Sequence, residues 1–360
     1  MPGSPAPRIS KLRACMQQKH LDAVLLSGKA NIAYYSGFQG DDTLLCLTLD
    51  HAWLLTDSRY TIQAKTEAPE WALIDNQQAQ WTKALAGLIC PGTCPGLGLD
   101  ARRMPASLYM ELKDVYPRGG FTALDADLLN FRMVKDKEET ARIRQAALIA
   151  DQAFFQVLQS VREGVSELEL TAELEYRMKQ GGAQNPSFET IVAFGERTAM
   201  PHAHPTRRRL KAGDALLFDF GAVFEGYRSD ATRTFFLGEP GPEMRKIYSV
   251  VQKAQQEALL GIRPGLSGRE ADYLARKVIE MEGYGSCFGH GTGHGVGLEI
   301  HEDPRLSPKY EGMLPEGCVV TVEPGIYLEG TGGVRIEDLV VLDAGGAGNL
   351  TGLSRELMIL

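Results

Sequence analysis

Four acidic residues interrupt apolar, β-rich runs: Asp219 in GDALLFDFG, Asp230 in YRSDATRTFFL, Glu323 in GCVVTVEPG and Glu337 in VRIEDLVVL. Alternate strand residues share a face, so these carboxylates are aimed at neighbouring chain or the core. An unpaired charge there costs several kcal/mol and either protonates or acquires a cation. Taken singly, each acid is accounted for by a solvated sheet edge or by a salt bridge to an arginine such as Arg228, Arg233 or Arg335. The histidines argue for more. Five of the seven (His202, His204, His290, His294 and His301) fall between residues 202 and 301, three of them in HGTGHGVGLEIH. Such clustering beside strand acids favours metal ligation, and the glycines leave the imidazoles uncrowded. HExxH is absent, so a helix-borne single zinc is not implied. Two divalent cations balance four carboxylates, and an oxygen-rich set with one imidazole favours manganese, cobalt or iron over a thiolate-type zinc site. Water held between two such ions loses a proton near neutral pH and becomes a nucleophile, which is hydrolytic chemistry.

The elements that must present these residues come in two copies. REGVSELE (162–169) and RPGLSGRE (263–270) share Arg, any residue, Gly, aliphatic, Ser, offset by 101 positions. Each contains a capping box, Ser166 with Glu169 and Ser267 with Glu270, that starts a helix. The periodicity predicts helices over Glu138–Val161, Glu167–Gln180, Pro242–Ile262 and Glu270–Glu282. Asp219 and Glu323 each lie six places after the first Gly of their strand and are read as equivalents; Asp230 and Glu337 follow on the next strands. A duplicated helix, helix, strand, strand unit faces its copy about a pseudo-twofold axis, with the ligand between them.

The preceding part reads as an α/β domain. LDAVLLSG, NIAYYSGF, LLCLTLD and HAWLLTD form β-rich runs, followed by a helical stretch over Ser58–Glu67, a strand ending at Asp100 and a helix over Ala106–Val115. LDADLLNFRMVKDK then runs into a long charged helix, which sets the domains at 1–133 and 134–360. The length of 360 residues suits two domains, and 44% hydrophobic with 23% charged residues excludes a disordered, collagen-like or coiled-coil chain. A net charge of -8, with only Arg207–Arg209 and Lys211 as a basic run, argues against nucleic acid as a partner. No GxGxxG follows a strand and no GxxxxGKS occurs. No signal-like segment or membrane-length apolar run is found, so a cytoplasmic protein with no membrane partner is expected. Cys15, Cys46, Cys90, Cys94, Cys287 and Cys318 are expected to be reduced thiols without a catalytic role.

The order Asp219, Asp230, His294, Glu323, Glu337, within FDFG, SDATRT, GTGHGVG, VEPG and RIED, resembles the metallopeptidase family of methionine aminopeptidase, aminopeptidase P and prolidase. The likeness covers residues 137–360 closely, and the leading domain with its RMVKDKEE linker is similar to the proline-specific branch. The resemblance implies an Xaa-Pro peptidase, with the α/β N-terminal domain followed by an α+β pita-bread domain, two divalent ions (manganese or cobalt, with zinc or iron as alternatives) and a homodimer. It implies that Asp219 chelates one metal, Asp230 and Glu337 bridge both, and His294 and Glu323 complete the shell, Glu323 also shuttling a proton. His202 in MPHA and His301 in EIHEDP match histidines that stabilise the tetrahedral intermediate, and His290 matches one that contacts substrate. PHAHP leaves His204 as the alternative to His202. Arg335, two residues before Glu337, is expected to share its strand face and either to orient that carboxylate or to take a substrate carboxylate. Arg305 is either the grip for a dipeptide's free carboxylate or a surface arginine. The substrate is then a peptide with proline in second position. Methionine removal, a lyase activity and a metal-free peptide-binding module are the competing readings.

Overall fold

The computed structural model describes residues 5–75, 81–89 and 96–360, and the chain divides into two units, Met1–Arg132 and Met133–Leu360. Among the described residues of the first unit, six strands form a mixed sheet in the order Ala72–Asp75, Ala52–Thr56, Leu44–Thr48, Ala23–Leu26, Gly96–Leu99 and Gly120–Ala123. Ala23–Leu26 pairs antiparallel with Leu44–Thr48 and parallel with Gly96–Leu99. NIAYYSGF, read as β-rich, is instead part of the helix Lys29–Ser36. Gly28 enters it extended, Gly37 closes it in the left-handed region, and Ile32 and Tyr35 are buried on one side, so packing overrides the β preference of these residues. LDADLLNFRM likewise does not run straight on: a helix spans Asp125–Met133, and a new one starts at Lys137 behind an Asp136–Glu139 capping box. Cys90 and Cys94 lie outside the described residues.

The second unit repeats one plan. Helices Lys137–Val157 and Glu167–Gln180 back a sheet of Ile191–Phe194, Ala215–Phe220 and Ala231–Phe236. Helices Pro242–Gly261 and Gly268–Met281 back one of Glu302–Leu306, Gly293–Gly295, Val319–Val322, Asp338–Asp343 and Gly346–Asn349, among the described residues. Both predicted capping boxes form, with Ser166 and Ser267 each accepting from the amide three residues on. Phe154, Phe218, Phe220 and Phe235 pack face to face and edge to face in the first core. Aliphatic residues such as Val251, Val320, Ile336 and Val340 fill the second. Among the described residues a β-bridge, Thr232 to Glu337, joins the two sheets, with the Glu337 amide donating to the Thr232 carbonyl at 3.1 Å. No helix among the described residues is long and apolar enough to cross a membrane.

Candidate metal centre

The pleat explains why these strands carry acids. Phe218 and Phe220 face the aromatic core while Leu217 and Asp219 face the other way, so one strand serves packing and chemistry on opposite faces. Asp230 stands one residue before Ala231–Phe236, and Glu337 one residue before Asp338–Asp343. Ladder register refines the repeat. Asp219 pairs with Thr232, two past Asp230, whereas the residue paired with Leu339, two past Glu337, is Thr321. Asp219 and Glu323 are therefore two positions out of step in the duplicated frame, an even offset that keeps both on the same face.

His294 is carried by the strand Gly293–Gly295. A Cβ at Gly293 would lie 2.0 Å from the Thr321 carbonyl oxygen, and one at Gly295 2.4 Å from that of Asp303. The glycines around His294 thus admit neighbouring backbone, which is a stronger requirement than leaving the imidazole uncrowded. Its Nδ1–H donates to the Gly295 carbonyl at 3.1 Å, leaving Nε2 as a lone pair 3.4 Å from Glu323 Oε1 and 3.6 Å from Asp230 Oδ2. Burial, with His301 next to it, pulls His294 down to about 3, so the imidazole is neutral and these close approaches are not ion pairs.

Asp230, His294 and Glu337 each offer a ligand atom, all within 4.8 Å of one another, and all three are buried. Burial and the neighbouring carboxylates push Asp230 and Glu337 well above the usual carboxyl range. Burial raises Glu323 to about 7 and also raises Asp219, each partly opposed by Arg335. Asp219 Oδ2 accepts from Arg335 Nη2 at 2.6 Å, but its Oδ1 is buried with no partner. Four crowded carboxyl groups beside one guanidinium, an orphan oxygen and a lone pair held toward the acids form a set short of positive charge. With no thiol among the ligand atoms, that set fits hard or borderline divalent cations.

The histidines, acids and two arginines named as candidate site residues line one cavity of about 850 Å³: His202, His204, Asp219, Asp230, His290, His294, His301, Arg305, Glu323, Arg335 and Glu337. Phe188, Ile191, Cys287 and Tyr327 add further wall.

Residues 141–344 match Metallopeptidase family M24, and residues 8–134 match the Creatinase/Prolidase N-terminal domain. The chain belongs to metallopeptidase family M24. An Xaa-Pro dipeptidase of Pyrococcus horikoshii is 36% identical over 352 residues, 98% of each chain. An Xaa-Pro dipeptidase from Bacillus anthracis superposes with a TM-score of 0.93 at 37% identity, covering 99% of this chain and 100% of that one. An X-Pro aminopeptidase from Thermotoga maritima does so with a TM-score of 0.91 at 37% identity, covering 98% and 99%. The two-domain architecture with a duplicated pita-bread metallopeptidase domain follows, as does the use of divalent metal ions.

Within this M24 site the structure revises the expectation for Arg335 and shows the surroundings of the other residues. Arg335 ends the strand Gly332–Arg335, while Glu337 leads into a strand of another sheet, so the two do not share a strand face. Arg335 is buried and holds Asp219 rather than Glu337. Its remaining donors reach Thr232 Oγ1 at 3.1 Å, Tyr327 Oη at 2.9 Å and the Pro201 carbonyl at 3.3 Å. His290 has both ring nitrogens engaged at 2.8 Å: Nδ1 with the Gly291 carbonyl and Nε2 with Tyr327 Oη. Burial pulls it down to about 4, so its ring is neutral, and it stands on the cavity wall. His301 is half-buried, lowered by that burial, and packs edge-on against His294 at 4.4 Å between centroids. His202 and His204 are both exposed on the cavity wall, and His204 contacts Glu189 at 3.0 Å. Cys15, Cys46, Cys287 and Cys318 are free, and burial pushes Cys46 and Cys318 up to about 12.

Two threonines escaped sequence reasoning. Thr232 Oγ1 donates to Glu337 Oε2 at 2.6 Å, and Thr321 Oγ1 donates to Glu323 Oε1 at 3.1 Å while accepting from the His294 amide at 3.0 Å. Each lies two residues from an acid, Thr232 after Asp230 and Thr321 before Glu323, so the same period-two spacing that marked the acids could have found them.

Proposed function

We propose that this M24 peptidase removes an N-terminal residue that precedes proline, from dipeptides or longer peptides, with two divalent ions, manganese or cobalt foremost. Asp219, Asp230, His294, Glu323 and Glu337 hold the ions. The observation that carries the reading is the buried Asp230–His294–Glu337 cluster with the His294 lone pair 3.4 Å from Glu323. The names of the relatives support the proline preference. The chemistry such ions supply when bound is Lewis acidity, which acidifies water and polarises a carbonyl.

The chain's own groups do the rest. Glu323, whose Oε1 lies 3.4 Å from His294 Nε2 on the cavity wall, is the carboxylate placed to take up a proton and return it. The departing proline nitrogen needs that proton because, as a tertiary amide, it carries none of its own. His202 and His301 supply donors for the substrate oxygen as it gains charge, and neutral His301 does so through a ring N–H. Arg335 and Tyr327 keep Asp219 and His290 in place. Arg305, partly exposed on the cavity wall and only 4.0 Å from Asp303, has a guanidinium available for the free carboxylate of an Xaa-Pro dipeptide. The reading also takes the protein as a cytoplasmic homodimer, to be checked by fractionation and light scattering.

The test is a substrate series, Xaa-Pro and Xaa-Ala dipeptides and their tripeptide extensions, assayed with defined manganese, cobalt, zinc or iron alongside metal analysis. Cleavage of Xaa-Pro with about two ions per chain is expected. Cleavage of Met-Ala but of no Xaa-Pro substrate overturns the proline assignment, and a metal-free, inactive protein that still binds peptides leaves the binding-module reading. Arg305→Ala should weaken dipeptide cleavage selectively; equal loss on tripeptides removes the carboxylate role.

A further inference from the structure

Two acids follow Ser166 within the first turn of the helix Glu167–Gln180, and they do different work. Glu169 closes the capping box with a side chain 60% exposed, whereas the Glu167 side chain is fully buried. A helix start gains from a nearby negative charge without burying it, so the desolvation of Glu167 has to be offset by other partners. Those partners all belong to one segment. Glu167 Oε1 accepts from the Phe194 amide at 3.0 Å; Oε2 accepts from the Thr206 amide at 2.8 Å and Thr206 Oγ1 at 2.6 Å. Arg197 Nε contacts both oxygens, at 3.0 and 3.2 Å. Phe194 and Thr206 bracket the stretch that carries His202, and Arg197 lies inside it. The other end of Arg197 donates to the His204 carbonyl at 2.6 Å, and the Pro201 carbonyl accepts from Arg335.

We propose that Glu167 is a positioning residue: its buried carboxylate closes the base of the 195–205 segment and so fixes where His202 meets the substrate. This rests on the reading of His202 as a donor to the reacting carbonyl. The same repeat position in the second half, Gly268, has no side chain to play this part. There the Gly268 Cα hydrogens face the Arg305 carbonyl, to which an added Cβ would come within 1.9 Å. The carboxylate at 167 is therefore not a requirement of the duplicated helix start but an addition in the half whose histidine rides on an unpaired segment.

The experiment compares full-length Glu167→Gln, His202→Ala and the double variant, each loaded with manganese, by steady-state kinetics on an Xaa-Pro dipeptide, metal content and hydrogen exchange. Gln cannot accept at both ends. Glu167→Gln should keep its metal, lower kcat roughly ten- to hundredfold with KM changed little, and speed exchange across 194–206 while 286–306 stays protected. Added to His202→Ala it should cost less than about twofold more. Unchanged exchange at 194–206, a loss that multiplies fully with that of His202→Ala, or a loss explained by missing metal would each overturn the proposal. If Glu167→Gln does not fold, Thr206→Val, which removes one donor and keeps the shape, decides by the same measurements with smaller effects of the same sign. Full activity in His202→Ala would instead sink the reading of His202 and the catalytic part of this proposal, and the exchange pattern would still say whether Glu167 holds the segment.

Discussion

The two halves of the metallopeptidase domain start from the same frame and finish differently. Each has a Ser-capped helix, two acid-bearing strands and a separate core. The first half contributes Asp219 and Asp230 and one histidine-bearing segment, anchored at its base by the Glu167 carboxylate. The second contributes Glu323, Glu337 and the histidines at 290, 294 and 301, and it anchors them by other means. Buried Asp272 accepts from the Thr292 amide at 2.9 Å and holds Arg276, whose guanidinium donates to the carbonyls of Phe288 at 3.1 Å and His290 at 2.7 Å. Lys135 reaches Glu302, next to His301, at 3.2 Å with both side chains buried. Duplication retained what aims the carboxylates, which is strand pleat, while each half acquired its own way of tying down the loops between strands. Pleat repeats wherever a strand repeats; loop anchoring depends on which side chain stands nearby.

The comparison breaks most visibly if one half can hold the metals alone. Asp219→Asn from the first half and His294→Ala from the second should each lower activity by about a thousandfold or more, several kcal/mol of barrier, while the chain stays folded. Activity assays beside circular dichroism check this, and loss of fold in either variant would make the site structural. The second-half anchoring is next. Lys135→Met leaves a buried carboxylate without its ammonium and should destabilise by about 3–5 kcal/mol in urea unfolding, with much of the loss recovered in Lys135→Met/Glu302→Gln. No recovery would mean that Lys135 acts through packing.

A third measurement addresses how the chain's C-terminal segment returns to the first half. The Gly352 amide donates to Asp151 Oδ2 at 2.6 Å, and burial raises this carboxyl from 3.8 to about 6. A raised folded-state value means the stabilising proton is fully present below about pH 4 and lost as pH rises through 6. Stability should therefore fall by about 3 kcal/mol across that window and stay lower above it. In Asp151→Asn that part of the pH dependence should vanish, as read from unfolding at pH 4 and pH 7.5; an unchanged profile would show the acid ionised at its ordinary value. The smallest effect is expected at the repeat position opposite Glu167. Gly268→Ala puts a methyl against the Arg305 carbonyl and the Tyr310 ring and should cost about 1–3 kcal/mol, seen as a lower unfolding midpoint. A neutral result would show that this helix start has room for the side chain its counterpart carries.

Much of this was legible in the chain because it is local or periodic. Capping boxes lie within one turn, strand acids announce themselves inside apolar alternation, and the repeat is a spacing of 101 positions. NIAYYSGF misled because its β-prone residues are held helical by glycines at both ends and by burial, forces that composition does not rank. Arg335 misled because two residues of separation imply a common face only if the strand continues, and here the chain changes sheets at Ile336.

Residue order alone marked which side chains are candidates to ligate metal and which strands or strand ends present them, since pleat and period are properties of adjacent residues. Partnership across long separations was settled only by folding. Arg335 serves Asp219 across 116 positions, Thr232 serves Glu337 across 105, and Tyr327 meets His290 Nε2 across 37. Hydrogen bonds and charges act over a few ångströms of space, and which groups share those ångströms is decided by packing.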